Sequence, residues 1–441
     1  MDERSSRRYP FRPVPGTVRI RAFALIALFS GLILQALPAV AQEQAIGGTL
    51  SQRAEEGEDP VPVEGVVITV TQDGNEVGSA TTDAEGNWTV PVPAPGDYDV
   101  ALDASTLPPG VTLSDPERSE LTDVNVRPGQ TRRVIFQLGG GGAGGTSTWD
   151  RVASLVVVGL KLGAIIALSS VGLSLIFGVT GLVNFSHAEL VTLGAFIAYV
   201  FHAGGPRWPL VVAALPAVLF GVTFGWGQEK VLWGPLRRRG MGVLTMMVVS
   251  IGLGFALRFL ILAFFGGLPR AYPDFASQGA VAFLGFSVVP KHVVAIVAAL
   301  VILGGVGLFL ERTLAGTALR AVRDNPDLAE SSGIAVDRVV ALTWALGAGL
   351  AAIGGVFFGV TESVQWSMGF DLLLLMFAAV VLGGLGTAYG AMLGGFVVGI
   401  SVEMSTLFFP NELKNAVGLV LLIIMLIWRP QGLLGVRERI G

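Results

Sequence analysis

Residues 311–339 read ERTLAGTALRAVRDNPDLAESSGIAVDRV and form a polar island between two apolar runs, Val293–Leu310 and Val340–Val360. Each run is close to the roughly 20 residues that a helix needs to cross the hydrocarbon core of a bilayer. The polar island therefore lies at a membrane surface. It carries four arginines and an Asn325–Pro326 pair, which predicts two short helices with a break between them. A loop this long and structured is typical of a surface that a partner binds.

The composition of the whole chain indicates a protein with many membrane spans. Hydrophobic residues make up 52% of the 441 residues and charged residues only 14%, and the mean hydropathy is +0.67. Soluble domains are about a quarter charged. The chain contains no cysteine, which excludes disulfides, zinc–thiolate sites and thiol catalysis. We expect no cofactor and no metal in this chain, and no nucleic-acid partner.

The first 41 residues have the pattern of a secretory signal peptide. Six arginines precede the apolar run Ala22–Leu37, which ends in Pro38-Ala39-Val40-Ala41. The run is shorter than the roughly 20 residues of a spanning helix, and an uncleaved N-terminal anchor is the alternative. In either case, arginines on the inside place the chain after Ala41 outside the membrane.

Residues 42–138 alternate in the manner of an antiparallel β-domain. A tight turn is predicted at Asp73-Gly74-Asn75. The predicted strands are Val66–Thr71, Val77–Thr82, Trp88–Val92, Tyr98–Leu102 and Thr131–Leu138. The glycine-rich residues 139–149 are predicted to be a flexible linker.

The stretch GVVITVTQDGNEVGSATTDAEGNWTVPVPAPGDYDVAL (Gly65–Leu102) resembles the small prealbumin-like, or carboxypeptidase-regulatory-like, β-sandwich modules of bacterial surface proteins. The resemblance implies a fold but no activity. The acids Asp73, Asp83, Glu85 and Asp97 are interpreted as turn formers and solubilising charge, with calcium binding as the alternative.

Residues 150–441 contain nine apolar runs that predict membrane spans. The runs are 153–178, 186–203, 209–227, 243–265, 290–310, 338–360, 370–387, 389–409 and 413–428. Basic clusters at 230–239, within 311–339 and from Arg429 onward belong on the cytoplasmic face. Starting outside and crossing nine times places all three inside, with a cytoplasmic C-terminus. The glycine-rich pair 382–386 and 390–399 leaves a re-entrant element as an alternative.

The sequence thus predicts a mainly α, polytopic helical membrane protein with about nine core spans and an N-terminal extracytoplasmic β-sandwich module. We expect the chain to be a multi-pass protein of a bacterial-type inner or plasma membrane.

Four segments of the membrane region, in order and spacing, resemble permease subunits of ABC importers for branched-chain amino acids and related polar solutes such as urea. They are GLKLGAIIALSSVGLSLIFGVTGLVNFSHAELVTLGAFIAYV (Gly159–Val200), GTALRAVRDNPDLAESSGI (Gly316–Ile334), AAVVLGGLGTAYGAMLGGFVVG (Ala378–Gly399) and WRPQGLLG (Trp428–Gly435). The resemblance implies a pump in which two permeases, identical or paralogous, form the pathway. Two cytoplasmic ABC ATPase subunits would bind the inner face, and an extracytoplasmic solute-binding protein would deliver the solute.

The sequence carries no phosphate-binding G-x-x-x-x-G-K-[ST] motif. We therefore expect ATP hydrolysis on separate subunits and no enzymatic activity in this chain.

The resemblance implies that residues 316–334 couple the permease to the ATPase. The matching positions are Gly316, Arg320, Asp324, Pro326, Ala329 and Gly333. Small side chains at Ala329, Ser332 and Gly333 would also let a short helix seat deeply in a groove of the partner. The alternative is an ordinary solvated helical loop.

The second candidate site is the sequence NFSHAE, where polar groups lie beside an apolar helix at the edge of the membrane. Ionisable side chains inside a membrane are costly and usually face the bundle interior or a watery cavity. Asn184, Ser186, His187 and Glu189 are therefore predicted to line or support the substrate pathway. The alternative is an interfacial polar cluster that caps the helix.

Glu403 is a further buried acid candidate for the substrate pathway. The family often has an acid here, but in this chain it stands one residue later, and one residue turns a helix by about 100°. Glu362 is interpreted as interfacial. The pairs Gly354-Gly355, Gly383-Gly384 and Gly394-Gly395 are interpreted as helix-packing positions, with gating as the alternative.

Two rival functions remain at this point. A secondary transporter or channel driven by an ion gradient would need ion-coordinating acids or broken helices at mid-membrane, for which the sequence offers Glu189 and Glu403. Alternatively, the β-module is a ligand sensor or adhesin and the membrane region its anchor, although nine spans exceed what anchoring requires. The sequence does not separate leucine-type amino acids, urea and short amides as solutes.

Overall fold

The computed structural model describes residues 44–435 except 53–60, 110, 114–118, 127–130, 135, 137, 141–147, 277, 280, 284–285 and 430. The predicted signal peptide or anchor, most of the predicted linker and the arginines after residue 435 lie outside the described residues. The chain divides into two compact units, with a boundary between Arg151 and Val152. The first is a β-module and the second a helical bundle.

The β-module is a sandwich of short strands around one apolar core. The strands are β1 Ala45–Thr49, β2 Ser51–Gln52, β3 Val61–Pro62, β4 Val67–Gln72, β5 Asn75–Thr81, β6 Asn87–Pro91, β7 Gly96–Leu102, β8 Val111–Leu113, β9 Glu120–Val126, β10 Thr131–Arg133 and β11 Leu138–Gly140. The sheet orders are β10-β1-β6, β3-β2-β11-β8 and β5-β4-β7-β9. Alternate residues of β7 (Tyr98, Val100 and Leu102) are buried and meet Ile68 and Trp88 in the core, as a period of two requires.

Four of the five predicted strands are confirmed, each within two residues of the predicted ends. Asp73 and Gly74 have φ angles of 51° and 80°, the positive values that a tight type I′ hairpin turn needs. The prediction of a single strand over Thr131–Leu138 is wrong. β10 pairs with β1, whereas β11 pairs with β2 and β8 in another sheet, so the chain changes sheets within this stretch.

The helical unit contains twelve α-helices in the part that the structure describes. They are α1 Thr148–Thr180, α2 His187–Tyr199, α3 Leu210–Gln228, α4 Gly234–Arg238, α5 Val243–Phe265, α6 Pro290–Arg312, α7 Leu314–Asp324, α8 Pro326–Ser331, α9 Val336–Thr361, α10 Met368–Gly383, α11 Ala388–Met404 and α12 Lys414–Trp428. π-helical turns at Val200–Gly204 and Glu229–Trp233 continue α2 and α3. Two short strands, β12 Val281–Phe283 and β13 Phe286–Val288, pair in the connection before α6.

Each of the nine predicted apolar runs falls on one helix. Within the described residues, six helical segments are long and apolar enough to cross a membrane: Arg151–Thr180, Leu210–Arg238, Val243–Phe265, Pro290–Arg312, Val336–Thr361 and Ala388–Leu407. α10 and α12 are apolar but shorter, and α2 has 13 residues before its π-turn. The mostly helical membrane fold is thereby shown, and the count of nine spans stays a prediction.

α9 is the central helix of the bundle and packs against α2 and α3. The glycine pairs allow such close approaches: a Cβ on Gly355 would overlap the carbonyl of Val191 in α2, and one on Gly394 would overlap the carbonyl of Ala379 in α10. Small residues are how membrane helices bring their backbones together. These contacts support the helix-packing interpretation of the glycine pairs.

Candidate functional site

The polar island folds as two short helices, α7 and α8, with a cap at the start of each. The Thr313 side chain accepts a hydrogen bond from the amide of Gly316 at 3.0 Å, and Asn325 accepts one from the amide of Leu328 at 2.9 Å. Pro326 occupies the first turn of α8, where a missing N–H costs nothing. The predicted break at Asn325–Pro326 and the two flanking helices are confirmed.

The six residues of the predicted coupling segment divide into inward-facing and outward-facing groups. Gly316 is buried against the end of α6, where a Cβ would overlap the carbonyls of Leu310 and Phe309. Arg320 donates to that same carbonyl of Leu310, so its side chain satisfies a carbonyl that the helix end leaves unpaired. Asp324, Pro326 and Gly333 are exposed.

Ala329 differs from the expected geometry. Its side chain is buried in the apolar core of the helical unit itself, so its small size serves packing against this chain and is not offered to a partner. Gly333 is exposed with a φ of +86°, and its amide donates to Glu330 just past the end of α8. A left-handed conformation at a helix end explains a glycine here without a partner.

Two leucines that the sequence reasoning did not single out form the apolar part of this surface. Leu314 is 91% exposed and Leu328 is 64% exposed, whereas Leu319 and Val322 of the same segment are buried. In the sequence, these two leucines could have been found as apolar residues that do not fall on the buried face of their helices. An exposed apolar side chain on a polar loop fits a protein-binding surface.

The NFSHAE segment interrupts the helical bundle. α1 ends at Thr180 and α2 begins at His187, and residues 181–184 between them are not helical. Side chains bond the amides of Leu182, Phe185 and Ser186 in and beside this segment. Ser250 accepts from the amide of Phe185 at 3.1 Å while its own hydroxyl donates to the carbonyl of Met247 at 2.7 Å. Asn184 accepts from the amide of Ser186 at 3.1 Å and from its hydroxyl at 2.6 Å. Irregular backbone inside a membrane requires such pairing.

This break lies well inside the packed helices, while its place relative to the membrane edge stays a prediction. The His187 Nε2 atom is 3.0 Å from the carbonyl oxygen of Ser169 in α1. Ser169 precedes the end of α1 by eleven residues, about 16 Å along a helix. The chain therefore leaves α1, turns back between the helices and starts α2 deep within the packed unit. Asn184, Ser186, His187 and Glu189 are all buried.

Arg258 of α5 is the partner of Glu189, and sequence reasoning missed it. Its Nε and Nη2 atoms donate to the same carboxylate oxygen of Glu189 at 3.0 and 2.9 Å. Its guanidinium carbon lies 3.8 Å from the ring centre of Phe370 and 5.4 Å from that of Phe255. The one available signal was an arginine within an otherwise apolar run. A buried charge needs such a counter-charge.

Four buried polar atoms around this break have no hydrogen-bond partner among the described residues: Ser169 Oγ, Asn184 Nδ2, His187 Nδ1 and Glu189 Oε2. An unpaired buried polar group costs about 1–3 kcal/mol. Four such atoms on neighbouring elements fit a place where water or a passing solute supplies the missing partners.

Glu403 lies apart from this group. It accepts a hydrogen bond from Lys414 at 3.2 Å, and none of the hydrogen bonds or ion pairs found in the described part of the chain joins it to residues 184–189. Glu362 is half exposed, as expected of an interfacial residue, but it bonds the buried Lys161 of α1 at 2.5 Å. Arg238, in the basic stretch after α3, forms an ion pair with Asp337 at the start of α9, with 2.6 Å between Nη2 and Oδ2.

Comparison with known proteins gives two family matches. The family described as "Branched-chain amino acid transport system / permease component" matches residues 155–426. The carboxypeptidase regulatory-like domain matches residues 52–139.

Curated relatives cover the same helical region. The permease protein LivH of the high-affinity branched-chain amino acid transport system of Escherichia coli K12 is 31% identical over 293 residues, which are 63% of this chain and 93% of LivH. BraD of Pseudomonas aeruginosa, a permease protein of the same description, is 30% identical over 64% of this chain and 94% of BraD. The E. coli permease LivM is 26% identical over 64% of this chain and 69% of LivM.

Proposed function

The chain belongs to the permease components of branched-chain amino acid transport systems, and we propose that it forms part of the membrane pathway of an ATP-driven ABC importer. The proposed solute is a branched-chain amino acid or a related small polar molecule such as urea. As a permease of this family, the chain is a transport subunit and not an enzyme.

The observation that carries this proposal is the capped pair α7–α8. α7 is fixed to the end of α6 by inward contacts at Gly316 and Arg320, and α8 is anchored by Ala329, which is buried in the apolar core of the helical unit. A displacement of the exposed face of α7–α8 would therefore move the membrane helices on either side, α6 and α9. We propose that ATP-driven closure of two cytoplasmic ATPase subunits moves residues 316–334 and rocks the helices between inward-open and outward-open states.

The orientation follows from charge. Lys230, Arg237–Arg239, the arginines of 311–339 and Arg429 lie at helix ends that the proposed topology places in the cytoplasm. The Arg238–Asp337 ion pair joins two of these regions, in agreement with a common face. We propose that the β-module lies outside the membrane and that residues 1–41 are a signal peptide or anchor.

We propose Asn184, Ser186, His187 and Glu189 as supports of the substrate pathway. Their burial and the four unpaired polar atoms support a wet or solute-binding place inside the bundle. Glu403, which we also propose for the pathway, lies apart from this group and bonds Lys414. A second permease subunit, this chain or a LivM-like paralogue, would complete the pathway, and an extracytoplasmic solute-binding protein would supply selectivity.

The gradient-driven alternative has less support. The buried acids Glu189 and Glu403 are each bonded to a basic side chain, which leaves them poorly suited to take up a cation. Among the described residues, there is also no group of three or more acidic or histidine side chains arranged to hold an ion.

The test is purification of the tagged permease from mild-detergent membranes. We expect a P-loop ATPase to co-purify with the wild type and to be lost from the double variant Arg320→Glu/Gly333→Val, while membrane insertion survives. Arg312→Glu, a charge reversal in the same loop but outside 316–334, is the matched control and should retain the ATPase. An intact permease that never brings an ATPase with it would favour gradient-driven transport.

A further inference from the structure

A charged and aromatic face surrounds the buried side chain of Arg258 at the edge of the helical unit. It consists of Arg258 and Phe255 on α5, and of Phe370 and Asp371 at the start of α10. Arg258 precedes the end of α5 at Phe265 by seven residues, about 10 Å along the helix. Asp371 interacts electrostatically with both Arg258 and Glu189. We call these four residues the Arg258 face.

The hydrogen bonds of Arg258 leave half of its guanidinium unused. Glu189 takes one N–H from Nε and one from Nη2, and a guanidinium has five N–H groups in a planar fork. No hydrogen bond from Nη1 occurs within the described part of the chain. The free edge, formed by Nη1 and the remaining N–H of Nη2, has the geometry that binds a second carboxylate with two parallel bonds.

The rest of the face has complementary chemistry. The Asp371 carboxylate is exposed and is held by Ser367 and Gln365 at 3.3 and 3.4 Å. The rings of Phe255 and Phe370 are about half exposed. A guanidinium and a carboxylate are costly against lipid, so this face belongs on a watery path.

Resting on the proposed function, we propose that the Arg258 face is a transit site for a zwitterionic amino acid with an apolar side chain. The free edge of Arg258 would bind the solute carboxylate, Asp371 would bind its ammonium group, and the two phenylalanine rings would contact its apolar side chain. Glu189 holds the guanidinium in place. A neutral solute such as urea has no use for this separation of charges.

The test uses the complete importer in liposomes, with its ATPase, second permease and leucine-loaded binding protein, and measures uptake of radiolabelled leucine. Arg258→Lys keeps a cation for Glu189 but loses the planar fork, and we expect at least a tenfold loss of uptake from an importer that still assembles. Phe370→Leu and Phe255→Leu should lower uptake severalfold. Phe264→Leu, nine residues from Phe255 and so about half a turn around α5, is the matched control and should transport normally.

Two results would overturn the inference. One is leucine uptake by Arg258→Lys within twofold of the wild type. The other is recovery of uptake in Glu189→Gln/Arg258→Gln, which removes both charges and would show that the ion pair serves packing alone. Failure of the wild-type importer to drive uptake of either leucine or urea with ATP would contradict the proposed function instead, so the two failures are distinguishable.

Discussion

Asn325 and Asn184 each precede a helix of the helical unit, α8 and α2. Asn325 lies at the surface of the unit, whereas Asn184 lies in its interior. Asn325 is exposed, and its side chain caps α8 through the amide of Leu328. Asn184 is fully buried, and its side chain holds Ser186 at the start of α2. At the surface, water satisfies whatever the side chain leaves unpaired. In the interior, the unpaired Nδ2 of Asn184 must find a partner within the protein or a trapped molecule.

The largest expected loss of stability comes from removing Glu189, the buried charge next to the helix break. Replacing Glu189 by Ala leaves Arg258 without its counter-charge inside the bundle, which we expect to cost about 3 kcal/mol. The apparent melting temperature and the monodisperse fraction in detergent measure it. Glu330→Ala, an exposed acid on α8, is the surface control and should melt with the wild type. Equal melting of both variants would contradict the buried ion pair.

Asn184→Ala removes both hydrogen bonds to Ser186 and leaves its amide and hydroxyl unpaired in the interior. We expect a loss of about 2 kcal/mol in the same melting assay. The variant Asn184→Ser retains an acceptor, so its melting temperature should lie between those of Asn184→Ala and the wild type. If Asn184→Ala melted like the wild type, the buried segment would have to be bonded in some other way.

Asn325→Ala, the surface counterpart, removes only a helix cap and should cost about 1 kcal/mol. The effect should be local to α8, because the amide of Leu328 can then bond water. Hydrogen exchange of the first turn of α8 would report it. A cost at Asn325 equal to that at Asn184 would erase the contrast between the surface and the interior.

The smallest effect on stability, below about 0.5 kcal/mol, is expected from Leu328→Asp, since the leucine side chain is mostly exposed. Its expected effect on function is large. A charge in the apolar part of the surface should weaken ATPase binding and lower ATP-dependent uptake at least tenfold. Leu385→Asp, an exposed leucine between α10 and α11, is the control. Unchanged uptake in Leu328→Asp would remove this leucine from the coupling surface.

The surface region was largely predictable from sequence, whereas the interior was not. Caps and breaks depend on neighbours a few residues apart, so Asn325–Pro326 predicts its own geometry, and apolar runs predict their helices. The Glu189–Arg258 pair joins residues 69 positions apart, and no local pattern reports such a distance. The depth of the NFSHAE break depends on where α1 ends relative to α2. The inward orientation of the Ala329 side chain depends on how α8 packs against the other helices.

The most direct test of the account is ATP-dependent solute uptake by the purified importer in sealed liposomes. The account predicts that radiolabelled leucine enters only with ATP, the ATPase subunits and the binding protein, and that collapsing ion gradients with ionophores leaves the rate unchanged. Uptake that runs without ATP and stops with the ionophores would contradict it.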